Sequence, residues 1–191
     1  MTSTGLDPRA VIEDWPAESR EAATLVIERY GEPDEATPTH LQWTSNAGEW
    51  KRIIAQREFY AHDFPAPHID CVESVLDYRV PPARVGDLAA FDGSVVVERT
   101  AGEISARCHD VEANRLALNL AHDIVAGNRS VEDARAYYAE EFLDARRGKP
   151  TPYMDELRID AGGDTRDPGT RILSDADLAA ARQEGERQHA S

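Results

Sequence analysis

Three stretches of the chain carry apolar residues at helical spacing. In residues 18–30, apolar side chains recur at every fourth position, and Gly31 follows where such a helix would end. Residues 111–126 are apolar on nearly all sides, which predicts a core helix with Asp110 as its N-cap. Residues 131–146 show a single apolar stripe. We therefore expect three helices, one of them central to the core.

Alternation of apolar and polar residues predicts strands outside these helices. The predicted strands form two hairpins around a single strand: residues 40–44 with 50–60, residues 72–80, and residues 94–99 with 104–108. Turn-forming residues separate the two strands of each hairpin. We expect an α+β fold in which an antiparallel sheet of about five strands is packed on one side by the three helices.

The pattern divides the chain into an arm, a domain and a tail. Residues 1–17 lack periodicity and contain two prolines, which is typical of an irregular arm. We expect a single α+β domain over residues 18–147. Residues 148–191 form an acidic tail rich in proline and glycine, with a short terminal helix, so a chain cut near Arg147 is expected to keep a folded core. Within the tail, residues 152–159 are apolar enough to dock onto the core or onto a partner.

The charged residues are predominantly acidic. The chain has 36 Asp and Glu against 21 Lys and Arg, a net charge of −15, and its only lysines are Lys51 and Lys149. Short carboxylates, with arginine in place of lysine, keep a surface hydrated in concentrated salt. At molar ionic strength the Debye length falls to about 3 Å, which screens self-repulsion. We interpret the composition as halophilic salt adaptation; the alternative is a GC-rich genome that favours Arg codons.

The composition also argues against several classes of protein. No stretch approaches the roughly 20 apolar residues of a membrane span, and the first ten residues lack the features of a signal peptide. We expect a small soluble cytoplasmic protein in which Cys71 and Cys108 are buried thiols. The net charge counts against binding to a nucleic-acid backbone, which requires a basic surface.

One loop concentrates residues that bind metals. Its metal-binding side chains are His62, Asp63, His68 and Asp70. If a strand begins near Asp70, then His68 and Asp70 point to the same face. With a further histidine, for which His109 and His122 are the candidates, they form the ligand set of a two-His-one-carboxylate centre for a divalent transition metal. The alternative is a loop histidine that a carboxylate or a backbone carbonyl holds in place.

Aromatic and arginine residues predict a second kind of site, an interface. Trp43, Trp50 and Arg52 lie on the first predicted hairpin, and Tyr153 lies in the tail. Such residues carry much of the binding energy of protein interfaces, but burial under the first helix is the use of the tryptophans that we favour. Cys108 precedes His109, yet neighbours on a strand point to opposite faces, which favours a buried thiol over a nucleophile.

No motif in the chain specifies a reaction. Dinucleotide-binding, phosphate-binding, hydrolase and zincin motifs are all missing from the sequence. We therefore expect a binding or assembly module that recognises a protein partner or forms a homo-oligomer and is not evidently catalytic. The alternative is a metal-dependent enzyme that uses the His-x-Asp site of residues 62–70, with a divalent transition metal as cofactor.

The acidic composition generates the first prediction. Lowering KCl from molar concentration towards about 0.1 M should lower the melting temperature, because the repulsion between carboxylates is then less screened. Melting followed by circular dichroism over a KCl series measures the effect. A melting temperature that stays constant or rises as salt is removed would contradict the salt adaptation.

Overall fold

The computed structural model of the protein describes residues 6–159 and 162–189, which form an α+β fold. The strands are β1 (Glu35–Ala36), β2 (His40–Trp43), β3 (Arg52–His62), β4 (His68–Asp77), β5 (Val95–Glu98) and β6 (Glu103–Cys108). The helices are α1 (Pro8–Glu13), α2 (Ala17–Tyr30), α3 (Val85–Phe91), α4 (Val111–Ala126), α5 (Val131–Arg146), α6 (Pro152–Asp155) and α7 (Asp175–His189). None of these helices combines the length and hydropathy that a membrane crossing requires.

The six strands form one antiparallel sheet in the order β1-β2-β3-β4-β6-β5. Both predicted hairpins are present, as β2 with β3 and as β5 with β6. The strand beyond the five that we expected is the two-residue β1. The α+β fold with an antiparallel sheet is therefore confirmed.

The three long predicted helices cover one face of the sheet. Helix α2 packs against β3 and β4, α4 packs against β4 and β6, and α5 packs against α4. The predicted N-cap of α4 is confirmed, since Asp110 accepts a hydrogen bond from the backbone N–H of Ala113 at 2.7 Å. From α4, the fully buried Asn114 donates to the Val72 carbonyl and to the Ser74 hydroxyl of β4. The apolar core lies between these helices and the sheet.

Polar side chains cover the opposite face of the sheet. Arg52 donates two hydrogen bonds to the Glu103 carboxylate, at 3.0 and 2.6 Å, and Lys51 lies 2.9 Å from the same carboxylate. The strand register places Val75 between Arg52 and Ser105, and Val75 is only 1% exposed. The long side chains therefore shield an apolar residue on a face that no helix covers.

The N-terminal residues depart from the expected irregular arm. Asp7 caps α1 by accepting a hydrogen bond from Arg9, and Pro8 is the first helical residue, a position that tolerates proline because its missing N–H would have no helical partner. Trp15 is 3% exposed, and its indole N–H donates to the Pro38 carbonyl at 2.9 Å. The prolines that we interpreted as breaks therefore begin helices that pack on the core.

Residues 152–159 dock onto the core, one of the two uses that we expected for them. Met154 and Ile159 are buried, and the buried Arg115 of α4 donates to the Met154 carbonyl. Asn119 donates to the carbonyls of Tyr153 and Glu156 at 2.9 and 2.8 Å. The domain boundary that we expected at residue 147 stays a prediction, but these contacts argue for a later one.

A second part of the tail lies against the turn between β5 and β6. Gly102 in that turn has φ of +72°, and an added Cβ would lie 2.3 Å from the backbone of Thr165. Asp167 donates its backbone N–H to the Arg99 carbonyl at 3.0 Å and accepts from the Arg99 side chain at 2.9 Å. We call residues 163–167 the strap. The strap requires glycine at position 102, both for space and for the left-handed backbone conformation.

Two truncations test the role of the docked tail. A chain ending at residue 173 should melt close to the temperature of the full chain, because α7 has no buried residue. A chain ending at residue 147 should be markedly less stable, because it leaves the buried Arg115 and Asn119 without their carbonyl acceptors. Thermal melting of both chains measures the difference. Equal stability of the two would show that residues 148–173 contribute nothing to the core.

The polar face of the sheet predicts a pH dependence. Hydrogen bonds from Arg52, followed by those from Lys51, lower the pKa of Glu103 from 4.5 to about 2. A depressed pKa means that the carboxylate stabilises the fold above pH 4.5 and that this contribution is lost as the pH falls towards 2. Glu103→Gln should therefore lower the free energy of unfolding at pH 7 by about 1 to 2 kcal/mol.

Urea denaturation between pH 7 and pH 2 checks this prediction. The difference in unfolding free energy between the unaltered protein and Glu103→Gln should shrink as the pH falls. Glu21→Gln is the matched control, since Glu21 is exposed and has no ion pair among the described residues. A difference that is independent of pH would show that the Glu103 charge does not stabilise the fold.

Candidate metal centre

The pairing of β3 with β4 brings the two predicted loop histidines together. His62 is the last residue of β3 and pairs directly with His68, the first residue of β4, so their ring centroids are 4.8 Å apart. Asp70 follows two residues after His68, and side chains two apart on a strand share a face. Strand β4 begins earlier than we predicted, which places both His68 and Asp70 within it.

The spacing of the three side chains fits a shared metal ion. One ligand atom from each of His62, His68 and Asp70 lies within 4.8 Å of the others. His68 Nε2 is 3.3 Å from Asp70 Oδ1, and His62 Nδ1 is 3.3 Å from Asp70 Oδ2. Two ligands that each lie about 2.1 Å from an ion in tetrahedral geometry are about 3.4 Å apart. The distance from His68 Nε2 to Asp70 Oδ1 therefore matches that between two ligands of one ion, while His62 Nδ1 faces the other oxygen of the same carboxylate.

Hydrogen bonds orient the candidate ligands. His68 Nδ1 is 2.8 Å from the Ala66 carbonyl, so Nδ1 donates and Nε2 faces Asp70. Ser94 donates its hydroxyl proton to Asp70 Oδ2. A backbone carbonyl that accepts from the outer nitrogen of a histidine is the usual support for a metal-binding imidazole, because it fixes the ring and its tautomer.

One oxygen of Asp70 lacks a hydrogen bond. Asp70 is 5% exposed, and its Oδ1 has no hydrogen-bond partner among the described residues; the nearby His68 Nε2 is not aligned for one. An unsatisfied buried acceptor costs about 1 to 3 kcal/mol, and more when it is charged. A bound cation would remove that cost.

Without a metal ion, His68 is protonated and forms an ion pair with Asp70. The Asp70 carboxylate, whose Oδ1 lies 3.3 Å from His68 Nε2, and next the Cys108 thiol raise the pKa of His68 to about 11. The imidazolium and the Asp70 carboxylate then form a half-buried ion pair, which is the structural alternative that we considered for this loop. A metal ion would take the place of the His68 proton. The ion pair places a positive charge next to Asp70 Oδ1 without a hydrogen bond, and it gives no role to His62.

Two site residues were not predicted from the sequence. Asp92 is 4% exposed; its Oδ1 lies 3.7 Å from His62 Nε2 and accepts the backbone N–H of Ser94 at 2.8 Å. Burial raises the pKa of Asp92, and the Ser94 hydrogen bond and the charge of His62 oppose that shift. The Ser94 hydroxyl also lies 3.2 Å from His62 Nδ1. The only sequence signal for them is an Asp-Gly-Ser turn directly after an apolar helix.

The further histidine that we considered as a ligand does not lie in the cluster. Within the described residues, the metal-ligating cluster contains His62, His68 and Asp70, but neither His109 nor His122. His109 lines a cleft of about 570 Å³ together with His68 and Cys108. His122 is hydrogen-bonded through Nδ1 to the Tyr78 hydroxyl at 2.9 Å. His62, which we had already named as a candidate ligand, is the imidazole that faces His68, because the strand register pairs these two residues.

The predicted interface residues do not form a surface patch. Trp43 is 0% exposed and donates to the Gly31 carbonyl, and Trp50 is 4% exposed and donates to the Tyr30 hydroxyl. Arg52 is bound to Glu103, as described above, and the Tyr153 hydroxyl donates to Asp123 at 2.8 Å. The tryptophans are core residues, because helix α2 and its following turn supply the acceptors for their indole N–H groups.

The two cysteines are free and buried, as expected. Burial raises the pKa of the Cys71 thiol to about 12 and also raises the pKa of the Cys108 thiol, although the His68 charge opposes the shift at Cys108. Both thiols are therefore protonated at neutral pH, which makes them poor nucleophiles.

Comparison with known proteins adds no constraint to this geometry. Neither a protein-family model, nor a curated protein, nor a solved structure matches the chain. The argument for function therefore rests on the residues of the site itself.

Proposed function

We propose that the protein binds a divalent transition metal ion through His62, His68 and Asp70. The observation that carries the proposal is the buried Asp70 Oδ1, which lacks a hydrogen bond and lies in a cluster with two imidazoles. Two nitrogen donors and one carboxylate oxygen favour zinc, iron, cobalt or manganese over the oxygen-seeking magnesium and calcium.

The second part of the proposal is that the ion takes part in catalysis. The number of protein ligands supports this. Three protein ligands leave a coordination position for water or substrate, which distinguishes catalytic zinc sites from closed structural ones. His68 lies at the boundary between the cluster and the 570 Å³ cleft, so a ligand in the cleft has access to this side of the site. An ion in such a position polarises a bound carbonyl or lowers the pKa of bound water.

Asp92 and Ser94 support the ligands in this proposal. Asp92 lies next to His62 Nε2, and the Ser94 hydroxyl contacts both Asp70 Oδ2 and His62 Nδ1, so these two residues hold His62 and Asp70 in place. Support of this kind typically changes metal affinity by about 10- to 100-fold.

The tryptophans that we expected at an interface are buried, so an assembly module would have to use a different surface.

Metal content tests the proposal directly. The protein purified in molar KCl without chelator, and then given one equivalent of Zn²⁺ or Co²⁺, should retain about one ion per chain after desalting. His68→Ala should retain less than about a tenth of an equivalent, because two remaining ligands bind weakly. The matched control is His40→Ala, which removes an exposed histidine of β2 that contacts the Thr39 hydroxyl.

A second variant separates a metal site from an ion pair. Asp70→Asn keeps the shape of the side chain but removes its charge. If the cluster binds an ion, the variant should lose the increase in melting temperature that Zn²⁺ gives to the unaltered protein, an increase worth about 2.7 kcal/mol at 100 times the dissociation constant. Failure of the unaltered protein to bind either ion would refute the proposal, whatever the variants do.

A further inference from the structure

Part of β3 presents an edge without a neighbouring strand. Strand β2 pairs with β3 only as far as Gln56, and one further hydrogen bond joins the Arg57 N–H to the Thr39 carbonyl. Beyond that point β3 continues to His62 and pairs with β4 on its other side. Residues 57–61 are all exposed. The outer edge of this segment is thus free of a strand partner among the described residues.

Two aromatic side chains lie on the free edge. Phe59 is 37% exposed and Tyr60 is 49% exposed, and both stand among the few large hydrophobic residues that are exposed in the described chain. An exposed strand edge with apolar side chains is a template for pairing with another strand. Natural proteins protect such an edge with charged residues, especially lysine, with proline, with a β-bulge or with a covering element. This segment contains neither lysine nor proline, and its register irregularity is in the pairing with β4, on the other side. Its own charges, on Arg57 and Glu58, are the remaining protection of the edge.

The charges that flank the aromatic residues are unpaired. Arg57, Glu58 and Asp63 have exposed or half-buried side chains, and none of the three makes an ion pair or a side-chain hydrogen bond within the described residues. The main-chain groups of Arg57 are bonded to Thr39 and Ser19, but its guanidinium is not. These charges are therefore available to a partner.

We propose that two copies of the chain pair antiparallel through this edge, about a two-fold axis at Tyr60. In that register Arg57 of each copy faces Asp63 of the other, Phe59 faces Ala61, and the two Tyr60 side chains meet. The symmetric contact therefore contains the Arg57–Asp63 pair twice. Glu58 faces His62 and not another carboxylate.

The neighbouring symmetric registers do not pair these charges. An axis at Phe59 places Asp63 opposite Ala55, and an axis at Ala61 places Arg57 opposite Pro65. The complementarity of the segment with itself is the reason to assign a second copy, and not another protein, as the occupant of the edge. The inference does not depend on a bound metal.

Salt should favour this dimer. Each chain carries a net charge of −15, so two chains repel each other at low ionic strength. At molar salt the Debye length of about 3 Å screens this long-range repulsion almost fully, whereas a pair of opposite charges that is in contact and partly buried by the interface is screened much less. The aromatic contacts are strengthened in the same conditions when the salt is kosmotropic.

A charge swap tests the proposal. Sedimentation equilibrium in molar KCl should give a dimer for the unaltered protein. Arg57→Glu and Asp63→Arg should each weaken the dimer by at least about tenfold in dissociation constant, since each replaces two attractive contacts by two repulsive ones. The double variant Arg57→Glu/Asp63→Arg should restore the dimer, because the pair is then re-formed with its charges exchanged.

Controls separate loss of pairing from loss of folding. Arg182→Glu makes the same change of charge on α7, at an exposed position, and should leave the dimer intact. Circular dichroism should show all variants folded, because the side chains of Arg57 and Asp63 make no ion pair or hydrogen bond to lose within the described residues. A protein that is monomeric at every concentration, a single variant that dimerises unchanged, or a double variant that stays monomeric would each overturn the inference.

Discussion

The pairing of β3 with β4 is the constraint on which both proposed sites depend. The two strands change register between Ala55 and Tyr60, where residues 56–59 of β3 lie between paired positions that Cys71 alone separates on β4. The irregularity allows β3 to serve two purposes. Its first half is a regular inner strand between β2 and β4. Its second half has one edge that no described strand pairs with, and its last residue, His62, pairs with His68. Irregularities of this kind commonly re-aim side chains next to functional sites.

Buried polar residues of α4 and α5 join distant segments to the core. Arg115 is 2% exposed, and it contacts Glu49 before β3, the ring of Trp50 and the carbonyl of Met154. From α5, Glu141 accepts the backbone N–H groups of Tyr153 and Met154 at 2.8 and 2.9 Å. Removing one partner of a buried charge leaves the other uncompensated, which costs about 3 to 5 kcal/mol. These contacts make the arrangement of α4, α5 and residues 152–159 specific.

Local signals in the sequence were enough to predict most of the fold. Helical spacing, the cap at Asp110 and the two hairpins depend on residues close together in the chain, so they are readable without tertiary information. Helix α1 was missed because Pro8 was interpreted as a break although it is well suited to the first turn. Strand β1 has only two residues, too few for any periodicity.

The candidate site was only half predictable, for a physical reason. His68 and Asp70 follow from strand alternation, but which of the other candidate histidines joins them depends on the register of β3 against β4, which brings in His62 and not His109. Asp92 and Ser94 reach the cluster from the end of α3, about 30 residues away in the chain, through packing that no local pattern encodes. The same limit applies to Trp43 and Trp50, whose aromatic character suits a core and an interface equally.

The contact between the strap and Gly102 also has a consequence for local unfolding of the chain near the turn between β5 and β6. The strap touches the turn through backbone atoms and the Asp167–Arg99 contacts, and it contributes no buried apolar side chain. Its detachment therefore exposes little apolar surface and occurs without unfolding the sheet. The backbone amide of Asp167 should accordingly exchange its hydrogen with solvent much faster than the amides of β4. The turn between β5 and β6 thus belongs to the least cooperative part of a fold whose central strand is its most protected.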